Sequence, residues 1–431
     1  MKYIMVIGDG MADTKLVQLE NKTPLEALDL PMFNQVAGCF SGRVKTIPDG
    51  MPAGSDTAIL SIFGNDPRIY YTGRSVLEAA GMDIPLAQGD VSFRVNFCAV
   101  SKEEDGKCII HSHNGGNIHG QQAIDLMETL LTNTKFIECL NSIGMKIFPT
   151  DTFRHIGLIS QAKVDLSAMV FTEPHNILDK EISPYLPHLC KETTDEETLK
   201  CLNGIQNLMD LSYEILSEHP INLERIKNGQ LPANMIWPWG AATIVELPSF
   251  EKKYNKKGTV ISAVPLVWGI ASLGGLKTPK VEGANGDVDT NYEGKVETAL
   301  QALNKGDDFV TIHIEAPDEM SHAGELEKKL EAMTYIENRV LVPIFNAMRE
   351  AKEEFRLLLL SDHPTLLTTR SHSEVPVPYA IYDSRVAEEI FEKTGKYPTK
   401  KFSESSFAND ELLTEGTELM AKFFEMDNPC K

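Results

Sequence analysis

Short apolar segments alternate along the chain with longer segments in which apolar residues recur at helical spacing. The runs at residues 2–7, 258–264, 308–314 and 356–361 are rich in Val, Ile, Leu and other apolar residues, which is typical of strands buried on both faces of a parallel sheet. Residues 193–218 have the spacing of an amphipathic helix. The alternation of strands and helices predicts an α/β fold with a parallel sheet.

The middle of the chain has a different pattern. A predicted helix at 120–132 is surrounded by strand-like segments, which lie at 91–100, 107–111, 136–149 and 154–160. This mixture predicts an α+β unit at residues 90–189, inserted into a core domain formed by residues 1–89 and 190–431.

Two further segments are interpreted as connectors. Residues 81–89 contain glycine at both ends and precede the insertion, so we expect the insertion to be a hinged lid. Residues 234–240, with two Trp and a Pro, are predicted to be an apolar loop packed near a site.

Composition limits the classes of partner. The 431 residues contain 62 Asp and Glu against 41 Lys and Arg, a formal net charge of −21. Nucleic acids and anionic membranes require basic surface, so neither is expected as a partner. A small anionic substrate is compatible with this charge, because it requires only a local cluster of Arg or metal.

Cysteine usage and the apolar runs indicate a cytoplasmic protein. The seven cysteines are scattered and include no CxxC pair, which predicts neither a disulfide framework nor a Cys-type zinc site; they are Cys39, Cys98, Cys108, Cys139, Cys190, Cys201 and Cys430. The first residues, MKYIMVIGDG, are predicted to be a buried strand rather than a signal peptide. No segment approaches the roughly 18 apolar residues of a membrane span.

The stretch at residues 47–64 reads IPDGMPAGSDTAILSIFG and places Ser55 between a Gly/Pro-rich loop and an apolar run. This pattern predicts that Ser55 lies at the N-terminus of a helix. Backbone N–H groups and the helix dipole favour an anion there, so Ser55 could meet a phosphate or become an alkoxide. An ordinary N-cap is the alternative.

Asp9 follows the first predicted strand in the sequence Gly8-Asp9-Gly10. A dinucleotide-binding GxGxxG motif is excluded, because its third glycine would fall at Asp13. An aspartate at the carboxyl end of a parallel strand can hold a metal, and an Asx-type turn is the alternative.

The last third of the chain supplies further carboxylates and imidazoles at predicted strand ends. Asp318 and His322 follow one strand at a spacing of four, so they can face the same metal ion. Asp362 and His363 follow the next strand, and His372 comes shortly afterwards. Since α/β sheets bind ligands at the carboxyl ends of their strands, these residues predict a metal site.

Three arginines near or within the insertion are candidate substrate ligands: Arg74, Arg94 and Arg154. The guanidinium group binds carboxylate and phosphate through two parallel hydrogen bonds. Solvated surface charges are the alternative for each of them.

These motifs together resemble the archaeal-type cofactor-independent phosphoglycerate mutases of the alkaline phosphatase superfamily. The matching pieces extend nearly from end to end and include IGDGMAD, MPAGSDTAILSIFGNDP, GRSVLEAAGM, EAPDEMSHAG, SDHPT and HSEVPVPY. The resemblance implies an α/β fold with an alkaline-phosphatase-like, mostly parallel, doubly wound sheet and an inserted α+β cap domain.

The resemblance also implies a site with two divalent metal ions, which could be Mn, Mg or Zn. Asp9, Ser55, Asp362 and His363 would hold one ion, and Asp318, His322 and His372 would hold the other. Ser55 would be the nucleophile that accepts the phosphoryl group. The expected reaction is the interconversion of 3-phosphoglycerate and 2-phosphoglycerate without bisphosphoglycerate, and the oligomeric state stays open.

The chain departs from the family pattern in the insertion. An Asp-x-x-Ala-Gly-Arg type segment is usual there, whereas this chain has His113-Asn-Gly-Gly-Asn117, and Pro-His-Asp becomes Pro174-His175-Asn176. Relatives have been proposed to be homoserine kinases, and this is the alternative function. The chain contains no GxxxxGK[ST] phosphate-binding loop.

Overall fold

The computed structural model describes residues 1–425. Cys430 lies outside the described residues, and the other six cysteines are free. The strands are β1 Lys2–Gly8, β2 Phe40–Val44, β3 Val91–Lys102, β4 Cys108–Ser112, β5 Met145–Phe148, β6 Arg154–Ile159, β7 Met169–Val170, β8 His188–Leu189, β9 Met235–Thr243, β10 Gly258–Ile261, β11 Phe309–Ile314, β12 Phe355–Leu360, β13 Thr365–Leu366, β14 Ser371–His372, β15 Val377–Asp383 and β16 Glu411–Leu413.

The helices include one π-helical turn, Ile336–Leu341, and several short 3-10 turns. The α-helices are α1 Pro24–Ala27, α2 Pro31–Val36, α3 Ser55–Ile62, α4 Pro67–Tyr70, α5 Arg74–Gly81, α6 Gln121–Thr132, α7 Thr134–Ser142, α8 Glu196–Ser217, α9 Pro220–Lys227, α10 Phe250–Tyr254, α11 Pro265–Leu273, α12 Tyr292–Asn304, α13 Ala316–Ala323, α14 Leu326–Tyr335, α15 Val342–Ala351, α16 Ser384–Thr394 and α17 Leu419–Glu425.

The chain divides into two compact units. Among the described residues, the first unit contains Met1–Tyr71, Ala80–Met82 and residues 246–425, and the second contains Thr72–Ala79 and Asp83–Val245. The predicted insertion at residues 90–189 lies within the second unit, which also contains residues 190–245. Residues 190–245 belong to it because β9 pairs with β3 and α8 packs on β9.

The first unit contains a seven-stranded sheet in the order β10-β11-β1-β12-β15-β2-β16. The strands β10, β11, β1 and β12 are parallel, whereas β15 is antiparallel to both of its neighbours. The apolar β1 lies between β11 and β12, where residues on both faces are removed from water. The mostly parallel sheet predicted from the sequence is confirmed.

Helices cover both faces of this sheet. Val310 and Ile312 belong to a core cluster that includes residues of α2, α12 and α15. Phe309 points to the opposite face, since side chains alternate along a strand, and it packs against Phe63 after α3 and Phe250 in α10. The first unit is therefore doubly wound, as predicted.

The second unit is built around the long strand β3. This strand pairs with β4, β6 and β9, and β5 pairs with β6. Apolar residues of α6, α7 and α8 pack with this sheet in one core cluster. The arrangement is the mixed α+β type expected for the insertion.

Two local predictions in this unit are wrong. Residues 136–142, predicted to be strand, lie in α7, where Phe136 and Leu140 are buried at helical spacing. Residues 234–240, predicted to be a loop, lie mostly in β9, although this strand contains Pro238. Proline is tolerated because β9 pairs with β3 alone and so lies at an edge of the sheet.

Among residues 1–425, no helix is both long and apolar enough to cross a bilayer.

Candidate metal centre

The adjacent strands β11, β1 and β12 bring the predicted strand-end residues to one edge of the sheet. Asp9 directly follows β1, and Asp362 lies two residues after the end of β12. Asp318 and His322 lie on α13, which begins two residues after β11. Because the three strands are parallel, their carboxyl ends coincide, and the residues that follow them come together.

Gly10 permits the close approach of these segments. Its φ of +59° lies in the left-handed region, and a Cβ atom there would lie 2.6 Å from Asp318 Oδ1 and 2.7 Å from Asp318 Cα. The N–H of Gly10 donates to Asp362 Oδ1 at 3.1 Å. A glycine is therefore required at this turn both by its conformation and by the space available.

Ser55 is the first residue of α3, as predicted from the Gly/Pro-rich approach and the apolar run. Its side chain is mostly buried, and its Oγ lies 3.1 Å from Nε2 of His363. The turn is held by the next residue, since Asp56 accepts hydrogen bonds from the N–H of Thr57 and from the hydroxyl of Tyr71. A helix N-terminus carries partial positive charge, which favours an anion at Ser55.

Asp9, Asp362 and His363 form the first part of the site. Nε2 of His363 lies 3.3 Å from Asp362 Oδ2 and 3.6 Å from Asp9 Oδ1. Asp9 Oδ1 and Asp362 Oδ2 are buried and accept no hydrogen bond from the described residues. Buried carboxylate oxygens normally have partners, so these two oxygens indicate a cation site.

Asp318, His322 and His372 form the second part. Nε2 of His322 lies 2.9 Å from Nε2 of His372, and Asp318 lies 3.2 Å from His322 and 3.5 Å from His372. The Nδ1 atoms face the backbone carbonyls of Arg370 and Ala53, to which they can donate. The Nε2 atoms are then the ones available to bind a metal ion.

The electrostatics of the site also fit a bound cation. Burial, followed by the charges of Asp362 and Glu315, raises the pKa of Asp9 well above its ordinary value. Burial and the charge of Asp318 raise the pKa of Glu315 to about 8, and the hydrogen bond to Asp318 raises the pKa of His322 to about 9. Carboxylates packed this closely repel one another, and divalent cations relieve that repulsion.

Several sets of side chains could hold a metal ion. In each, one ligand atom per residue lies within 4.8 Å of the others; the sets are Asp9, Asp362 and His363; Asp318, His363 and His372; Asp9, His313 and Glu315; and Glu315, Asp318 and Glu319. Imidazole nitrogen and carboxylate oxygen suit divalent ions such as Zn, Mn and Mg. Five of the seven predicted residues belong to these sets, and the other two contact them, Ser55 through His363 and His322 through His372 and Asp318.

Two supporting residues were missed by the sequence reasoning. His313 in β11 lies between Asp9 Oδ2 at 3.0 Å and Ser262 Oγ at 3.1 Å, and Thr365 Oγ1 donates to Asp318 Oδ1 at 2.5 Å. Burial lowers the pKa of His313 to about 3, so its neutral ring can donate to Asp9. A polar residue inside an apolar strand was the sequence feature that could have identified His313. No feature of the sequence marked Thr365.

The three predicted arginines lie together in the second unit, around the carboxylate of Glu78. Arg94 lies against both oxygens of Glu78, Arg74 Nε is 3.3 Å from Oε1, and Arg154 Nη1 is 3.7 Å from Oε1. None of the three is an isolated surface charge. Glu78 is a further residue that the sequence reasoning missed.

Comparison with known proteins gives the family. Residues 38–222 match the model of the family PhosphMutase, described as 2,3-bisphosphoglycerate-independent phosphoglycerate mutase. A protein of that name from Methanosarcina barkeri is 40% identical over 403 residues, which cover 92% of this chain and 95% of the relative. Another from Methanothrix thermoacetophila is 41% identical over 387 residues, covering 90% of this chain and 92% of the relative.

Solved structures share the fold. The PH0037 protein of Pyrococcus horikoshii matches with a TM-score of 0.74 and 24% identity, covering 98% of this chain and 96% of its own. The cofactor-independent phosphoglycerate mutase of Thermoplasma acidophilum matches with a TM-score of 0.60 and 23% identity, covering 99% of both chains. Because relatives about 40% identical cover nine tenths of it, this chain belongs to the 2,3-bisphosphoglycerate-independent phosphoglycerate mutase family.

Proposed function

We propose that this protein is a metal-dependent phosphoglycerate mutase that interconverts 3-phosphoglycerate and 2-phosphoglycerate without bisphosphoglycerate. The observation that carries the proposal is the position of Ser55. Its hydroxyl lies at a helix N-terminus, 3.1 Å from Nε2 of His363, and that ring lies near Asp9 and Asp362. Membership of the mutase family supports the choice of substrate.

Seven side chains would hold two divalent cations, for which Mn, Mg or Zn are suitable. Asp9, Ser55, Asp362 and His363 would bind one, and Asp318, His322 and His372 would bind the other. When bound, such ions lower the pKa of a serine hydroxyl and neutralise phosphate charge. The unpartnered oxygens of Asp9 and Asp362 support this assignment.

The chemistry then consists of two transfers at one serine. Ser55 Oγ attacks the phosphorus of 3-phosphoglycerate, the bond from phosphorus to O3 breaks, and the proton lost by Ser55 is regained at O3. The glycerate stays bound and reorients, and its 2-hydroxyl attacks the phosphoserine. This second transfer forms 2-phosphoglycerate and returns the proton to Ser55.

The second unit would be the lid that retains the glycerate. Arg74, Arg94 and Arg154 would supply positive charge for the substrate, and closure would exclude water from the phosphoserine. Without such exclusion the protein would be a phosphatase.

A homoserine kinase is the second candidate, and the turn at residues 113–117 favours it. Gly115 and Gly116 have φ near +60°, and a Cβ on Gly115 would lie 2.7 Å from Ala233 Cβ. Arg225 donates to the carbonyl oxygens of both glycines. This turn therefore cannot hold larger side chains without shifting, and the Asp and Arg usual in the family have no equivalent there.

Identification of products separates the two functions. Purified protein with Mn is incubated with 3-phosphoglycerate, and in a second sample with ATP and L-homoserine, and the phosphorylated products are identified by phosphorus NMR. The proposal predicts 2-phosphoglycerate in the first sample without added bisphosphoglycerate. Absence of isomerisation together with formation of phosphohomoserine would replace the mutase by the kinase.

A further inference from the structure

The carboxylate of Glu78 is the centre of the arginine cluster in the second unit. Glu78 lies in α5 with only 9% of its side chain exposed. Arg94 Nε donates to Oε2 at 2.7 Å, and Arg94 Nη2 donates to Oε1. Such a two-point contact fixes both the distance and the plane of the guanidinium group.

The arginines around Glu78 are not equivalent. Arg94 is 6% exposed, and its guanidinium lies 4.7 Å from the ring centroid of Trp239, so it is packed as well as paired. Arg154 approaches Glu78 only to 3.7 Å, which is an ion pair without a hydrogen bond. Its Nε is buried and has no hydrogen-bond partner among the described residues, while 35% of its side chain is exposed.

The cluster carries excess positive charge. Three guanidinium groups surround one carboxylate. Against the opposing effect of burial, the charge of Arg94 lowers the pKa of Glu78 to about 2, so this carboxylate is ionised at neutral pH. Burial and the charge of Arg94 lower the pKa of Arg154 to about 10, which leaves Arg154 charged as well.

The aromatic rings packed beside Arg154 add no negative charge to the cluster. Arg154 lies over the ring of Phe153, and the imidazole of His113 packs against the same ring. His113 also contacts His175, which packs on Trp239. Burial lowers the pKa of both histidines, so these rings are neutral at pH 7.

We propose that Glu78 is a positioning residue and that its contacts give Arg94 and Arg154 different roles. Arg94 is held as a support, and Arg154, with hydrogen-bonding capacity remaining, contacts a carboxylate or phosphate oxygen of the ligand. Only the identity of that ligand rests on the proposed mutase function, since glycerate, homoserine and their phosphate esters all present such oxygens. Arg94 therefore contributes its charge and holds Glu78 in place, while Arg154 makes the contact with the ligand.

The test is ligand binding to the full chain in a Ser55→Ala background, which prevents turnover. Calorimetry measures the Kd of 3-phosphoglycerate, L-homoserine and inorganic phosphate, with the Kd of Mn measured in parallel. Glu78→Gln should weaken anion binding about 10- to 100-fold, as expected for losing hydrogen bonds to a charged group, and should leave the Kd of Mn unchanged. Glu78→Asp should recover part of the affinity.

A double-mutant cycle distinguishes positioning from a general structural effect. Arg154→Gln should weaken anion binding by a similar factor without lowering the melting temperature. Glu78→Gln should then have little further effect on affinity in the Arg154→Gln background, because it acts through Arg154. Asp383→Asn is the matched control, since it removes the partner of buried Arg356 in the first unit and should leave the anion Kd unchanged.

The outcomes separate the two proposals. Binding of L-homoserine but not 3-phosphoglycerate, with the predicted loss in Glu78→Gln, would contradict the mutase and support the role of Glu78. Affinity that is unchanged in Glu78→Gln, or effects of Glu78 and Arg154 that simply add, would overturn that role. Failure of the parent to bind any of these ligands would overturn both proposals. If Glu78→Gln does not fold, unchanged affinity in Arg154→Gln would still overturn the inference.

Discussion

Ser55 Oγ lies 3.1 Å from His363 Nε2, although 308 positions separate the two residues in the chain. The contact joins the start of α3 to the segment that follows β12. It brings the one hydroxyl predicted to be a nucleophile to the imidazole predicted to share its metal ion.

Replacement of Ser55 by Ala should abolish phosphoryl transfer and preserve the fold. The change removes only a hydroxyl at the helix start, so the melting temperature should stay near that of the parent, and most of the metal affinity should remain. Mutase activity should fall by at least about 10³-fold, as for the loss of other nucleophilic serines. Product formation and thermal unfolding measure the two effects.

Ser61→Ala is the matched control for this variant. Ser61 lies on the same helix, is fully buried, and its hydroxyl has no hydrogen-bond partner among the described residues. Its removal should leave activity intact. A Ser55→Ala protein that keeps more than a few per cent of the activity would mean that the phosphoryl group does not pass through Ser55.

The proximity of the candidate metal ligands was predictable because they follow apolar strands, and strand ends coincide in a parallel sheet. The prediction that Asp9, Asp362 and His363 lie close together required no knowledge of the turns between them. The inclusion of residues 190–245 in the second unit was not predictable, since the pairing of β9 with β3 joins segments more than a hundred residues apart. Glu78 was missed for a similar reason, because its partner Arg94 belongs to a different element.

Asp318→Asn should remove most of the affinity for one metal ion. Asp318 contacts both His322 and His372, and an amide cannot supply the same charge. Loss of residues that only support metal ligands costs about 10- to 100-fold in affinity, so loss of this ligand should cost more than about 100-fold. Calorimetry with Mn measures the change.

Glu327→Gln is the control for this variant, because Glu327 is an exposed carboxylate on the next helix, α14, and belongs to none of the candidate metal sets. It should bind Mn as the parent does. Equal Mn affinity and stoichiometry in the parent and in Asp318→Asn would remove Asp318 from the ligand set.

Lys329→Met should destabilise the first unit. Lys329 and Asp13 form a fully buried ion pair at 2.9 Å, and Lys329 also donates to the carbonyl of Thr365. Removing the lysine leaves a buried, unpaired carboxylate, which costs about 3–5 kcal/mol in the free energy of unfolding. Lys328→Met, at the exposed neighbouring position, is the control and should change that free energy little. The free energy of unfolding of both variants is measured by urea denaturation. Equal stability of the two variants would refute the prediction.

His155 should make the second unit less stable in acid. Its ring is buried against Phe97, Nδ1 accepts the N–H of Thr150, and burial lowers its pKa to about 3. Below pH 6.5 the unfolded chain binds a proton that the folded chain cannot bind, so stability is lost as the pH falls. The loss from this residue is about 2 kcal/mol at pH 5.

The corresponding measurement is the free energy of unfolding as a function of pH between about 7 and 5. His155→Gln should reduce the number of protons that the chain takes up on unfolding by about one. His119→Gln, at an exposed position of the same unit, is the control. An unchanged slope in His155→Gln would show that this ring is protonated in the folded state.

The most direct test of the proposed chemistry is the detection of phosphate on Ser55 during turnover. The parent enzyme with Mn and 3-phosphoglycerate is quenched in acid within the first turnovers, digested and analysed by mass spectrometry, with Ser55→Ala treated in parallel. A phosphoryl group on Ser55 in the parent, and on no residue of the variant, is the predicted result. A parent that forms 2-phosphoglycerate while Ser55 stays unmodified at every quench time would contradict the role of Ser55 as the nucleophile.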